Sequence, residues 1–265
     1  MLRALYTSAT GMKAQELLID NTANNLANVN TTGFRRSRVD FADLVYNTLR
    51  QPGTVASGQQ VSPTGLQVGN GVRTVGTTKH FTQGTVEKTG NPLAVAIEGD
   101  GFFQLRQQNG ELIYSQAGNM RIDAAGQLVN GDGVLLEPAI TIPAEVDITK
   151  ITISTAGVVQ GIQSGSDTAP QELGQIQLAT FRNPAGLSSE GGNLFSATAA
   201  SGDAVTGNPG DVGTGQVRQS FLENSNVEVV TELISLISAQ RAYEINSRAI
   251  RAGDEMLSTS VDIIR

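Results

Sequence analysis

The chain is 265 residues long, with 25 acidic and 18 basic residues and a net charge of −7. That length holds one large domain or two modest ones, and that charge argues against a nucleic-acid footprint. With no cysteine and a single histidine, His80, the chain excludes disulfides, thiolate or His-pair metal sites and cysteine nucleophiles. Thirty glycines, 5% aromatics and no tryptophan suit a turn-rich structural protein better than a compact metabolic enzyme. No apolar run approaches the ~20 residues of a membrane helix, so no membrane insertion is expected. The first twenty residues, MLRALYTSATGMKAQELLID, are amphipathic and lack the apolar core and cleavage site of a secretory signal peptide. The protein either stays in the cytoplasm or leaves by a route that does not cleave its N-terminus.

From the N-terminus, Leu2, Leu5, Ala9, Met12, Glu16, Ile19, Ala23 and Leu26 recur at intervals of three and four. That spacing predicts a helix with a heptad seam within residues 1–33, and Gly33 is a suitable left-handed stop. Asparagine is dense near its end, and Asn24 and Asn28, four apart, either face water or donate amide hydrogen bonds to a neighbouring helix. Arg35, Arg36 and Arg38 follow without interleaved aromatics, which reads as a polar face or as salt-bridge partners. Residues 34–94 then form a connector. Within it, 47–71 is rich in Gly, Pro, Ser, Thr and Gln and reads as an extended loop or arm.

From Val72 the texture becomes short alternations between turns. Val95 and Ile97, then Phe103 and Leu105, have strand spacing around a tight turn at Gly99-Asp100-Gly101. Asn109-Gly110, Ala125-Gly126 and Gly131-Asp132-Gly133 continue the rhythm, as do Ile140, Ile142, Ile148, Ile151, Ile153, Val158, Val159, Ile176, Leu178 and Phe181. About a dozen short strands are expected between Val72 and Val217, in a β-rich domain over 95–205. The low-complexity segment 196–215 reads as a return linker, and 206–225 as the return connector to the last helix.

The last stretch, 226–265, repeats the opening pattern. Val229, Leu233, Leu236, Gln240, Tyr243, Ser247, Ile250, Asp254, Leu257, Val261 and Ile264 mark a second heptad seam with polar members. The segment has no proline and one glycine, Gly253, and as a helix would reach about 60 Å. The fold class is therefore α+β: long N- and C-terminal coiled-coil helices flank a mainly antiparallel β middle region. The helices pair within or between subunits. Self-assembly is assigned to Leu5, Met12, Ile19 and Leu26 together with Val229, Leu233, Leu236, Tyr243, Ile250 and Leu257. Gly11, Gly253 and the polar seam residues should leave an isolated pair only marginally stable, ordering fully in an assembly.

Catalytic patterns are lacking. There is no phosphate-binding loop sequence, Thr74 stands where a dinucleotide fingerprint needs its third glycine, and no nucleophile elbow is complete. His80 is read as a surface or sheet residue, and Asp100, Asp132 and Glu98 as turn residues. No enzyme activity, cofactor or metal site is expected.

Several strings resemble the flagellar rod and hook family of axial proteins, in order and over essentially the whole chain. They are 23–36 (ANNLANVNTTGFRR), 95–103 (VAIEGDGFF), 123–129 (DAAGQLV), 223–227 (ENSNV) and 240–247 (QRAYEINS). Departures fall at Ala94 and at Ser115-Gln116-Ala117-Gly118. The resemblance implies a structural subunit of the bacterial flagellum basal body that self-assembles helically and serves motility. It is strongest to the distal rod, the rigid drive shaft that transmits torque to the hook. A hook or proximal rod subunit, or a trimeric β-rich secreted binding module, is the alternative. Segment 43–69 resembles the extra stretch of distal rod subunits, which implies a stiffening arm around Arg50, Pro52, Pro63 and Leu66. The implied partners are further copies of the chain, the proximal rod proteins, the hook protein, the surrounding basal-body rings and the flagellar export apparatus. Type III export across the inner membrane, without a cleaved signal peptide, would place the chain in the periplasm-spanning rod.

Overall fold

The computed structural model describes residues 2–52, 55–56, 60–61, 64–163 and 170–264. Two helices, α1 (Leu2–Ala27) and α2 (Val229–Ile264), bracket a succession of short strands. The chain divides into two compact units. One joins Met1–Leu26, Ser37–Thr78 and Val229–Arg265; the other joins Ala27–Arg36 and Lys79–Glu228.

In the helical unit, proline-free sequence and good helix formers carry α1 and α2, and Glu232 in the first turn of α2 suits the positive end of that helix. α1 ends at Ala27, where Asn28, Val29, Asn30, Thr31 and Thr32 disfavour helix. Gly33, the expected stop, comes later and turns the chain with φ +70° while its N–H donates to the Glu223 carbonyl at 2.8 Å. Three contacts set the helix pair. Leu5 lies against Gly253, Asn246 against Gly11, and Asn25 Nδ2 donates to Glu232 Oε2 at 3.4 Å. Numbers rise along one helix as they fall along the other, so the helices are antiparallel. Ala14 and Ala239 are also buried, and this line of small residues lets the backbones approach closely.

Between the helices in this unit lie β1 (Ser37–Asp43), β2 (Asn47–Arg50), β3 (Val55–Ala56), β4 (Gln60–Val61), β5 (Leu66–Val68) and β6 (Val72–Lys79). β1 pairs with β6, and the segment between them is a β-hairpin rather than the extended loop the sequence suggests. β2 and β5 pair antiparallel through Asn47↔Val68 and Thr48↔Gln67, and β3 with β4 through Val55↔Val61. β2 is exposed along its whole length, so no in–out alternation marks it as a strand in the sequence. Gly65 is required by proximity: a Cβ there would stand 2.8 Å from Pro52 Cδ and 2.9 Å from the Arg50 carbonyl. Pro63 lies outside the described residues.

The β unit begins with β7 (Val86–Lys88), β8 (Val95–Glu98), β9 (Phe102–Arg106), β10 (Leu112–Ser115), β11 (Arg121–Ile122), β12 (Leu128–Val129) and β13 (Leu135–Glu137). It continues with β14 (Thr152–Ile153), β15 (Val158–Gly161), β16 (Gln171–Gln175), β17 (Leu178–Thr180), β18 (Ser188–Gly191) and β19 (Leu194–Ser196). β20 (Val205–Gly207), β21 (Gln216–Gln219) and β22 (Phe221–Glu223) complete it, so the strands are shorter and more numerous than the sequence predicts. A nine-stranded antiparallel sheet is centred on β9, which pairs with β10 on one edge and shares the other between β13 and β17. Alternation on β9 explains why four consecutive residues, Phe102, Phe103, Gln104 and Leu105, are buried. Phe103 and Leu105 enter one core with Ile113, Leu136 and Leu178, while Phe102 enters a second with Tyr114, Phe181 and Phe195. Edge-to-face ring pairs such as Phe102–Phe181, with centroids 5.6 Å apart, fill the second core.

Four loops in this unit share one form. In Gln107–Glu111, Asp123–Gln127, Asn130–Val134 and Ser154–Val158, the first residue's N–H donates to the fifth residue's carbonyl, and the fourth residue's N–H donates back. The fourth residue is glycine each time, with φ between +78° and +85°, as a type I turn with a glycine bulge demands. Asp123 and Asn130 reinforce their loops by accepting two backbone N–H groups each. The Gly99-Asp100-Gly101 turn is different: β8 pairs with β21, not β9, so the turn moves the chain from one sheet to another. Ile148, expected in a strand, lies in the 3-10 turn Ile148–Lys150. The Thr149 hydroxyl and N–H cap this turn on Asp147 and hold that carboxyl below the usual range. The low-complexity 196–215 segment is built into the fold, since β20 joins the sheet beside β17.

The first and last segments of the β unit are fastened by a buried ion pair. Arg35 Nη1 and Nη2 donate to Glu223 Oε1 and Oε2 at 2.6 and 2.9 Å, and both side chains are 2% exposed. Arg35 also donates to the Thr82 carbonyl and to Gln116 Oε1, and the Gly84 N–H donates to Glu223 Oε1. Asn226 continues the fastening, accepting from the Arg36 N–H and donating to the carbonyls of His80 and Thr82. The Lys79 ammonium lies 4.5 Å above the Phe34 ring, and burial lowers its pKa.

Removing one partner of such a pair leaves a buried charge unmatched, so Glu223→Ala or Arg35→Ala should destabilise the β unit by about 3–5 kcal/mol. Thermal or denaturant unfolding followed by tyrosine fluorescence checks this, and Arg35→Lys should not rescue, because one ammonium cannot replace the two-pronged contact. In the helix pair, Gly253→Ala should be near neutral, since ~1 kcal/mol of helix propensity offsets the displacement of the Leu5 tip. Gly253→Leu should lower the helical melting temperature measured by circular dichroism.

Candidate assembly surface

α2 carries more branched apolar residues in its first turns than one face can bury. Leu236 turns partly inward and Ala239 fully so, while Val230, Ile234 and Ile237 are 64%, 63% and 50% exposed. Intervals of four and three put these three on one stripe. Ile245 and Met256 extend apolar surface along α2, and α1 adds Tyr6 and Leu17.

The ten seam residues flank the intramolecular contact. Leu5, Met12, Ile19, Leu26, Leu236, Ile250 and Leu257 are half-buried, whereas Val229, Leu233 and Tyr243 are more exposed. The line of α2 against α1 runs one residue earlier than this seam, through Glu232, Ala239, Asn246 and Gly253. Glu16, Gln240 and Asp254, polar members of the sequence-derived seam, are in solvent, and Ser247 is half-buried. Heptad periodicity fixes the repeat but not its phase when residues on both sides of the line are apolar. Small residues, which score weakly as apolar, take the closest positions.

In the arm, Arg50, Pro52 and Leu66 are all exposed. Beside them Val45 is 85% exposed, and Tyr46 and Leu49 also face water. The arm thus presents a second concentration of apolar surface on a backbone held by strand pairing and by side-chain bonds such as Asn70 Nδ2 to the Val45 carbonyl.

Elsewhere the chemistry is that of turns and junctions. A groove of about 570 Å³ in the β unit is lined by Arg106, Gln108, Asp123, Gln127, Asp132 and neighbours, but Asp123 already accepts two backbone N–H groups of its own loop. His80 is half-buried, and its backbone N–H and carbonyl bond Arg36 and Asn226. Among the asparagines, Asn21 and Asn25 bond across elements, both reaching the Ser37 carbonyl. Sequence reasoning passed over Arg35, Glu223 and Asn226 as a unit. The available signal was their place in the strings GFRR and ENSNV, since nothing local to either string shows that the two meet.

Comparison with known proteins matches three family models along the chain. Residues 5–35 match the flagella basal body rod protein model, 96–161 the flagellar hook protein FlgE/F/G D1 domain, and 218–263 the flagellar basal body rod FlgEFG protein C-terminal model. The flagellar basal-body rod protein FlgG of Borreliella burgdorferi is 44% identical over 265 residues, covering all of both chains. FlgG of Caulobacter vibrioides is 45% identical over 260 residues, 98% of each chain. The flagellar hook-basal body complex protein FlhP of Bacillus subtilis is 31% identical over 97% of each. These matches are spread along the same chain segments that supply α1, the β unit and α2, and the chain belongs to the FlgG family of flagellar basal-body rod proteins.

Proposed function

We propose that the chain, a structural rod subunit of the flagellar basal body, polymerises helically into the rigid distal rod and passes torque toward the hook. The observation that carries this reading is the second apolar face of α2. A helix whose first turns are apolar on more than one side needs more than one neighbour to bury them. α1 lies against one side, while Val230, Ile234 and Ile237 remain in water. Neighbouring copies would cover that stripe, bordered by the seam residues. A contact between different faces of successive copies produces an open helical polymer when its rotation does not close into a ring.

The 47–71 arm would bridge copies and resist torsion, through Arg50, Pro52 and Leu66 and, beyond the described residues, Pro63. Its exposed Leu49, with Val45 and Tyr46 just before it, supports that role, because a single chain leaves all three unburied. The proximal rod proteins, the hook protein and the basal-body rings would be the flanking partners. Delivery would be by the flagellar export apparatus, with the chain unfolded and its N-terminus kept.

Ile234→Lys combined with Ile237→Lys should abolish polymers seen by sedimentation and electron microscopy while leaving the unfolding of the β unit unchanged. Each lost isoleucine burial removes about 1.5–3 kcal/mol per contact, and polymers of normal length from this variant would rule the face out. Deleting residues 48–65 should preserve assembly but give a more flexible polymer. Straight rods from that variant would show that stiffness resides elsewhere.

A further inference from the structure

The antiparallel contact between α1 and α2 is made mostly by small side chains. Gly11 and Ala14 on α1 and Ala239 and Gly253 on α2 lie along it, and residues of this size pack almost as well after a slide of one heptad. Beside the fit of Leu5 to Gly253 and of Asn246 to Gly11, a buried polar junction breaks that degeneracy. Glu232 is 1% exposed in the first turn of α2, and Asn25, equally buried, donates to its Oε2. The same Asn25 amide is held from its other side: its Oδ1 accepts the Ser37 N–H at 2.9 Å, and its Nδ2 donates to the Ser37 carbonyl at 2.8 Å. Asn21 Nδ2 donates to that carbonyl at 2.7 Å. The amide of Asn25 therefore has one orientation and one place, set by the start of β1.

We propose that Asn25 and Glu232 form the register lock of the helix pair, specifying which turn of α2 meets which turn of α1. Sliding α2 by one heptad toward the α1 N-terminus would carry the Glu232 carboxylate to the level of Leu18, an apolar neighbour that offers no donor. The opposite slide would carry Glu232 beyond Ala27, where α1 has ended. Either slide leaves a charge without its partner in a buried contact, whereas the small residues would tolerate both. The lock contributes uniqueness rather than tightness, and it fixes where the exposed stripe of α2 stands along the pair. Only this last consequence rests on the assembly reading above.

The chain lacks cysteine, so engineered pairs report register without background. Gly11→Cys with Asn246→Cys reads the observed register, and Gly11→Cys with Ala239→Cys reads the one-heptad slide. In the soluble full-length chain, the first pair should form a disulfide and the second should not. In an Asn25→Leu/Glu232→Leu background the slid pair should rise by about tenfold or more, with helix content by circular dichroism retained. Glu232→Gln, which still accepts from Asn25, should keep the wild-type ratio. A Leu/Leu background that keeps the wild-type ratio would overturn the proposal. So would loss of helix content in that background, since the junction would then hold the pair together rather than choose its register. Because the readout is taken on the unassembled chain, failure of polymerisation leaves it unaffected.

Discussion

The buried pair Arg35–Glu223 is the constraint on which the β unit depends, because it joins positions 188 residues apart. Bringing such distant points together has an entropic cost that grows only with the logarithm of the loop, but it must be met by contacts of high quality. The two-pronged geometry, the Thr82 and Gln116 acceptors for Arg35 and the Gly84 N–H for Glu223 together satisfy both charges. A buried ion pair seldom exceeds an apolar pair in stability; its virtue is intolerance of any other arrangement. Here that intolerance fixes where the chain enters and leaves the unit. Asn226, bonded to three backbone groups nearby, does the same work without charge.

The helical unit follows the opposite logic. Its inner contact runs along small residues and a buried polar junction, and the large side chains that flank it are only half-buried. Its large side chains, Val230, Ile234 and Ile237 above all, face outward. For a protein that ends its life alone this would be a liability to aggregation. In the assembly proposed above, the same surface would join the polymer, and the larger share of burial would fall to neighbours.

Much of this was legible in the chain itself. Heptad spacing located both helices, and glycine-punctuated alternation located the β region and the loops at Gly110, Gly126 and Gly133. The phase of the helix contact was not legible, because Ala239 and Gly253 carry little hydrophobic signal while Leu233 and Tyr243 beside them carry much. The arm hairpin was hidden for a related reason, since a strand wet on both faces has no alternation. The partnership of Arg35 with Glu223 was hidden because it is encoded by the path of the sheet between them. Gln116, in the stretch after β10, accepts from Arg35, so a loop residue far from either string also takes part in the closure.

The four glycine-bulge loops also set an order of events in folding. Each joins residues only a few positions apart, so the hairpins they close need little more than microseconds. β8 must wait for β21, β7 for β22, and Arg35 for Glu223. A chain that emerges N-terminus first, from a ribosome or from any narrow channel, therefore carries its early strands as separate hairpins with an open seam. Closure comes only when the final stretch before α2 arrives, so these seams wait on the last residues of the β unit.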